Sequence, residues 1–374
     1  EHMVFREKGE RTPLTDIRRL GGSINATTDF ELTTYYLTVR PEHLEKALPA
    51  LARLVLDPVF DEGDLQKEKR VILEEMAMNQ NDARAKVMVS LIKEVIPGSP
   101  LANLVIGDEA AVRRVTCADL QAFYRAYYVP DNLVVALAGR LDAEKARRQV
   151  ASLFGALPRR PAPQPSLEIP KIVNHRVARY IPLRQSILLV GGIGPGLAAP
   201  DHDALDMLHA ILGSGAHSRL HRRIVVEQGI TDNVGYLSHT LSDMGFWALQ
   251  FGMSPDDAPK VAGILDEEMA RIREDRTAGA DLDDARKAVL ANTLLALDTP
   301  AAVARVELEQ LLYRGDVISI EDHMKRLEKV SREDIARAAR KYLEPGGLVT
   351  IELAAAQGIR KWWVILKYLF TGGL

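Results

Sequence analysis

The sequence of 374 residues predicts an α+β protein made of two copies of one domain. Three observations carry that prediction. The same order of strand-like and helix-like segments recurs at an offset of 211–217 residues. A proline-rich stretch from Pro158 to Pro170, with five prolines and two arginines, separates the copies and reads as an extended linker. In each copy, hairpin-like pairs of β-rich runs alternate with amphipathic helices, the pattern of helices packed on one face of a mostly antiparallel sheet. A repeat of this length is a duplicated domain and not the unit of a solenoid. The expected boundaries are 1–157 for the first domain, 158–177 for the linker, 178–355 for the second domain and 356–374 for an apolar tail.

Taken in chain order, Gly22 to Ala26 leads into a β-rich run at Thr33–Val39, followed by a helix with Leu44, Leu48, Leu51 and Val55 on one face. Its counterpart runs from Asn233 to Tyr236, through Gly245–Phe251, to a helix with Val261, Ile264, Leu265 and Met269. Asp64–Leu73 then matches Asp281–Leu290. The clearest match comes last. Thr116 with Asp119, and Ser331 with Asp334, each place a hydroxyl N-cap and an acid three residues on, at the start of a helix. These helices end at Tyr127-Tyr128 and Lys341-Tyr342, with strands predicted at Leu133–Leu137 and Leu348–Leu353.

Composition narrows the function. Hydrophobic residues are 47% and charged residues 26%, as in a globular protein long enough for two cores. With 48 basic and 51 acidic residues the net charge is −3, which disfavours nucleic acid as a partner. The single cysteine, Cys117, excludes an intrachain disulfide and a cysteine-rich zinc module. The segment Lys361–Phe370 is apolar and aromatic but short of the ~20 residues a spanning helix needs. It reads as a final helix on the body, or as the start of a membrane or targeting segment, and it is the one expected point of membrane contact.

The chemistry is suggested by a helix that breaks its own pattern. With Asp64–Gln80 helical, Leu65, Ile72, Met76 and Asn79 share one face, and Glu68 and Glu75 lie on or beside it. Glu74 points away with Lys67 and Arg70. Carboxylates on an inward stripe need a cation, supplied by a metal or by an Arg or Lys from elsewhere. A boundary-facing glutamate is the alternative. The second copy carries Ala285 opposite Glu68 and Asn292 opposite Glu75, so the shared fold does not require the acids. Glu1-His2 at the start of an apolar segment is a weaker signal by itself. His217 and His221 are four apart, yet no acid lies between them. Gly191–Gly196 is glycine-rich, but Pro195 and the lack of a Gly-Lys-Ser/Thr ending argue against a phosphate loop; it reads as a strand end and loop.

Glu1-His2-Met3-Val4-Phe5, Arg11-Thr12-Pro13, Leu20–Thr28, Glu68–Glu75 and Tyr127–Asn132, in that order, resemble the inverted-zincin M16 peptidases of the pitrilysin, insulinase and mitochondrial-processing-peptidase type. The resemblance runs to about residue 355 and is tighter in the first half. It implies that family's metallohydrolase architecture and a Zn²⁺ cofactor bound by an H-x-x-E-H motif and a distal glutamate. Carried over, Glu1 is the general base, His2 and Glu75 are metal ligands, and Glu68 orients a ligand from behind. The first histidine of the motif falls three residues before Glu1, outside this chain, so an incomplete site is expected. Asn25, Ala26 and Thr27 are implied to lie on a sheet-edge strand that holds a peptide substrate by backbone hydrogen bonds.

The sequence departs from the family in its second half. The positions of an Arg and, seven residues on, a Tyr that help hold substrate carry Val225 and Asp232. Some family members divide the zinc motif and the Arg/Tyr pair between two chains, and this chain resembles the zinc-bearing one. A second M16-type subunit, or a second copy of the chain, is therefore the expected protein partner. The competing reading is a non-catalytic M16-like subunit acting in assembly or substrate recognition. The compartment is left open, with the periplasm favoured over the cytoplasm.

Overall fold

The duplication can be followed through the hairpin and the helices after it in the structure, a computed structural model describing residues 1–6, 12–79, 83–155, 157, 159–163, 174–181, 186–232, 234–277 and 279–355. In chain order these form α1 (Pro13–Arg19), β1 (Ser23–Thr28), β2 (Thr33–Thr38), α2 (Leu44–Leu56), α3 (Glu62–Asn79), α4 (Ala83–Val95), α5 (Glu109–Arg114), α6 (Cys117–Tyr127) and α7 (Ala143–Phe154). Beyond the linker come β3 (His175–Ile181), β4 (Ser186–Pro195), α8 (His202–Leu212), β5 (Val234–Thr240), β6 (Met244–Met253), α9 (Ala258–Arg273), α10 (Gly279–Leu295), α11 (Pro300–Arg314), α12 (Ile320–Lys329), α13 (Arg332–Tyr342) and β7 (Val349–Ala355). The expected helices of the first copy are α2, α3 and α6, and their counterparts are α9, α10 and α13.

The chain divides into two compact units, and neither is one uninterrupted half of the sequence. The first comprises Glu1–Asn81, Asn103–Leu167 and Leu297–Leu312; the second comprises Asp82–Ala102, Glu168–Ala296 and Tyr313–Leu374. Helix α4 thus belongs to the second unit, and most of α11, its counterpart at the repeat offset, belongs to the first.

In the second unit five strands run in the order β3-β7-β4-β6-β5. Only β3 and β7 are parallel; β7-β4, β4-β6 and β6-β5 are antiparallel. One face carries Leu188, Val190, Trp247, Leu249 and Phe251 into a core with Leu208 and Leu212 of α8, Val261 and Leu265 of α9 and Ile335 and Ala339 of α13. Helix α4 packs on β4, β6 and β7, and its Leu91 and Val95 are fully buried. With both faces covered, β4 reads as a nearly unbroken apolar run instead of an alternating one. Each fully buried large side chain here contributes about 1.5–3 kcal/mol.

The first unit holds a two-stranded antiparallel sheet in which Asn25 pairs with Tyr36, Ala26 with Tyr35 and Thr27 with Thr34. One expectation fails in it. Leu133–Leu137 joins no ladder among the described residues. Its counterpart β7 is flanked by β3 and β4. The glycine-rich stretch is a strand end and loop as expected, with β4 running to Pro195 and the loop starting at Gly196. A Cβ on Gly191 would lie 2.1 Å from the carbonyl oxygen of Trp247, so glycine permits this close approach of β4 to β6. Most of the linker and the whole apolar tail lie outside the described residues.

The paired N-caps form as expected. Thr116 and Asp119 make a reciprocal capping box on α6, and Ser331 and Asp334 make the same box on α13. The Asp334 carboxyl is held below the usual range by hydrogen bonds from the Ser331 backbone and side chain. Replacing Ser331 by alanine is expected to cost about 1 kcal/mol. Urea unfolding should show this as a lower midpoint with an unchanged slope.

Candidate metal centre

The site is built on the inward stripe of α3. Leu65 and Glu68 are buried, Ile72, Glu75 and Met76 are half-buried, and Lys67, Arg70 and Glu74 are exposed. The helix therefore places its two unusual acids where its periodicity puts them. Glu68 is only 5% exposed. Its counterpart Ala285 is also buried, so the same inward position holds a methyl group in one copy and a carboxylate in the other.

The cation that Glu68 needs comes from the start of the chain. His2–Phe5 forms a short 3₁₀ turn anchored by the buried side chains of Met3 and Val4. Apolar packing thereby fixes the direction of its polar neighbours. His2 Nδ1 stands 2.9 Å from Glu68 Oε2. A carboxylate only accepts, so Nδ1 carries the proton. Arg6 pairs with the other oxygen, Glu68 Oε1, through both Nε and Nη2. The opposite ring nitrogen, His2 Nε2, faces Glu75 Oε2 at 3.8 Å. The side chains of His2 and Glu75 are 34% and 44% exposed, so this end of the ring is open to solvent.

That separation can be tested against a metal ion. A tetrahedral zinc with bonds of about 2.0–2.2 Å holds two ligands roughly 3.4 Å apart. The observed gap is a few tenths of an ångström longer, and a single ion could contact both atoms. The donor types, imidazole nitrogen and carboxylate oxygen, are those zinc takes. The Nδ1–Glu68 bond supplies the outer partner that commonly fixes a ligating histidine. Among the described residues no group of three His, Cys, Asp or Glu side chains is placed to hold a metal.

Glu1 is tied to the neighbouring strand. Thr28 Oγ1, at the end of β1, donates to Glu1 Oε2, so one carboxylate oxygen is restrained beside the strand. Behind it, the hydroxyls of Tyr35 and Tyr128 are 2.7 Å apart, and Phe5 packs its ring 6.1 Å from that of Tyr35. Burial pushes both phenols above the usual tyrosine range, and the Glu1 carboxylate adds to that push. They stay neutral hydroxyls at any physiological pH.

Strand β1 pairs only with β2 among the described residues, which leaves its other edge open. The Asp29 amide donates to the Leu32 carbonyl at 2.8 Å, across the turn. Antiparallel pairs alternate between bonded and non-bonded. Counting back along the register, Asn25 and Thr27 spend their backbone groups on β2. Ile24, Ala26 and Thr28 direct theirs to the open edge. Of the three residues expected to hold substrate, Ala26 is the one whose amide and carbonyl are available there.

The structure thus gathers Glu1, His2, Glu68, Glu75 and the strand Asn25–Thr27 into one region of the first unit. Sequence reasoning did not single out Arg6 or the Tyr35–Tyr128 pair. Arg6 follows His2 by four residues, which was the available signal. His217 and His221 join no metal-holding group among the described residues. The second-copy equivalents of Glu1 and His2, at the offset that relates β1 to β5, are Leu212 and Gly213, which carry no such chemistry.

Comparison with known proteins follows the same division. Residues 1–109 match the family model for insulinase, peptidase family M16, and residues 114–289 match that for the peptidase M16 inactive domain. An uncharacterized zinc protease of Streptomyces coelicolor is 29% identical over 357 residues, covering 92% of this chain and 77% of its own length. A probable mitochondrial-processing peptidase subunit beta of Arabidopsis thaliana is 27% identical over 361 residues, covering 92% and 67%. In fold, a protease from Helicobacter pylori superposes with a TM-score of 0.85 at 21% identity, covering 94% of this chain and 88% of that one. A putative M16-like peptidase from Alicyclobacillus acidocaldarius gives 0.81 at 21% identity, covering 95% and 85%.

Proposed function

The chain belongs to peptidase family M16, and from that premise we propose that it is the zinc-bearing subunit of an endopeptidase acting on peptides or unstructured segments. The observation that carries this reading is the His2 ring held between Glu68 and Glu75, with one nitrogen protonated toward the buried acid and the other turned to the exposed one. His2 and Glu75 would hold Zn²⁺, with a histidine three positions ahead of Glu1 as the third protein ligand. The ion, when bound, supplies Lewis-acid polarisation of the scissile carbonyl and of the attacking water.

The remaining work falls to this chain's own residues. A peptide adding as a strand to the open edge of β1 would exchange backbone hydrogen bonds with Ala26, which gives affinity with loose sequence preference. Glu1, restrained by Thr28 at the end of the same strand, would take a proton from the attacking water on its carboxylate. It would then return that proton to the departing amide nitrogen. Thr28→Val should leave zinc content unchanged and lower kcat about tenfold, as expected for loosening a positioned base. Hydrolysis of an unstructured peptide, followed alongside metal analysis, checks both halves of that statement.

Val225 and Asp232 stand where an Arg and a Tyr would help hold substrate, so we propose that a second, related subunit supplies them. Activity should rise at least tenfold when that subunit is added. Equal activity with and without it would sink the two-chain reading. The competing proposal, a non-catalytic M16-like subunit, draws on the lack of a three-donor group among the described residues and on the match to an inactive-domain model. A full-length protein that binds no zinc and hydrolyses no peptide, with or without a partner, would favour it.

A further inference from the structure

We infer that Arg6 is a positioning residue for His2, acting through Glu68. The inference rests on the zinc-site reading above and adds a residue to it.

The geometry is a relay of three side chains. Both guanidinium nitrogens that reach Glu68, Nε and Nη2, fall on the same carboxylate oxygen, Oε1. Oε2 is left for His2 Nδ1 at 2.9 Å. An arginine that brings two nitrogens to Oε1 holds that oxygen in place and leaves Oε2 as the acceptor that faces the ring. With Oε1 held, Oε2 accepts from Nδ1, and that bond turns Nε2 toward Glu75. Without Arg6, the nearly buried Glu68 would lose its partner on Oε1 and keep, among the described residues, its bond to the His2 ring. It could then swing about its own χ angles and carry the ring with it.

The internal repeat separates this role from a fold requirement. At the offset relating β1 to β5, the equivalents of His2 and Arg6 are Gly213 and His217. At the offset relating α3 to α10, the equivalent of Glu68 is Ala285, a buried methyl group that needs no cation. All three members of the relay are absent from the second copy, and that copy still folds. A packing or folding role common to the domain does not account for the arginine. Its position four residues after the histidine, aimed at the same acid, does fit a role in holding that histidine's orientation.

The test uses the whole chain, labelled with ¹⁵N at the imidazole nitrogens, and reads the His2 tautomer by long-range ¹H–¹⁵N spectra above neutrality without metal. Variants that remove another histidine one at a time assign the His2 signal. In the native chain Nδ1 should carry the proton. Arg6→Gln should shift His2 toward a mixture of tautomers, and Arg6→Lys should retain most of the native pattern. Glu68→Ala, which copies the natural Ala285, should give the same mixture, and adding Arg6→Gln to it should change nothing further. Competition with a chromogenic chelator for zinc should show affinity falling about tenfold for Arg6→Gln, within the 10–100-fold typical of outer partners of a ligand. An unchanged His2 tautomer in Arg6→Gln would overturn the inference, as would an equal further shift when the change is made on top of Glu68→Ala. Because the tautomer is read without metal, it answers even if the native chain binds no zinc, an outcome that would count against the zinc-site reading alone.

Discussion

Glu1→Gln should lower kcat for peptide hydrolysis by about 10²–10⁴-fold, the range a positioned general base contributes. Zinc content should not move. Glutamine keeps the size of the side chain and can still accept from Thr28 Oγ1 through its carbonyl, so the end of β1 and the turn at His2–Phe5 lose nothing structurally. What disappears is the capacity to take a proton from water and return it. A loss confined to KM would mean that Glu1 binds substrate and does not transfer protons. A loss under threefold in either parameter would remove Glu1 from the mechanism. The assay requires the full-length protein with any partner it needs, and an unstructured peptide long enough to lie along the β1 edge.

Glu75→Gln should empty the site. The native full-length protein is expected to hold about one zinc per chain, and the variant close to none after dialysis against a mild chelator. Losing one of three protein ligands costs more than the 10–100-fold lost with an outer partner, and the deprotonated carboxylate is the form that binds. Glu74→Gln is the matched control. Glu74 is adjacent in sequence, exposed, and on the far side of α3, so its amide should leave both zinc content and activity within twofold of native. If both variants keep their zinc, the proposed ligand set is wrong. If both lose it, the effect comes from α3 as a whole and not from the carboxylate beside His2.

Much of this arrangement could be read from residue order. The period of α3 placed Glu68 and Glu75 on or beside the inward face and Glu74 opposite it, because a helix converts spacing directly into direction. The capping residues Thr116 and Ser331 marked two helix starts, because the free amides of a first turn have local partners. Comparison of the two copies showed that the acids were additions to the fold. What could not be read was long-range. Arg6 meets Glu68 across 62 positions, and Thr28 meets Glu1 across 27; no local rule brings such pairs together. The unpaired state of Leu133–Leu137 was hidden for the same reason. Its composition suits a strand, but a strand exists only where a neighbour lies beside it, and composition does not report on neighbours.

The reassignment of α4 and α11 has a consequence for how the polypeptide is made. As it leaves the ribosome, the leading segment through Asn81 already contains the β1–β2 hairpin and the acids of α3, yet its unit is finished only when residues 297–312 have been translated. Meanwhile α4 emerges with an apolar stripe, including Leu91 and Val95, whose sheet has not yet been synthesised. The nascent chain must hold that stripe from Val95 until Ser186 opens β4, the first of the strands that cover it. Cutting the gene at the linker should therefore yield two insoluble fragments, and co-expressing them should restore solubility only if each can reach the other's missing helix.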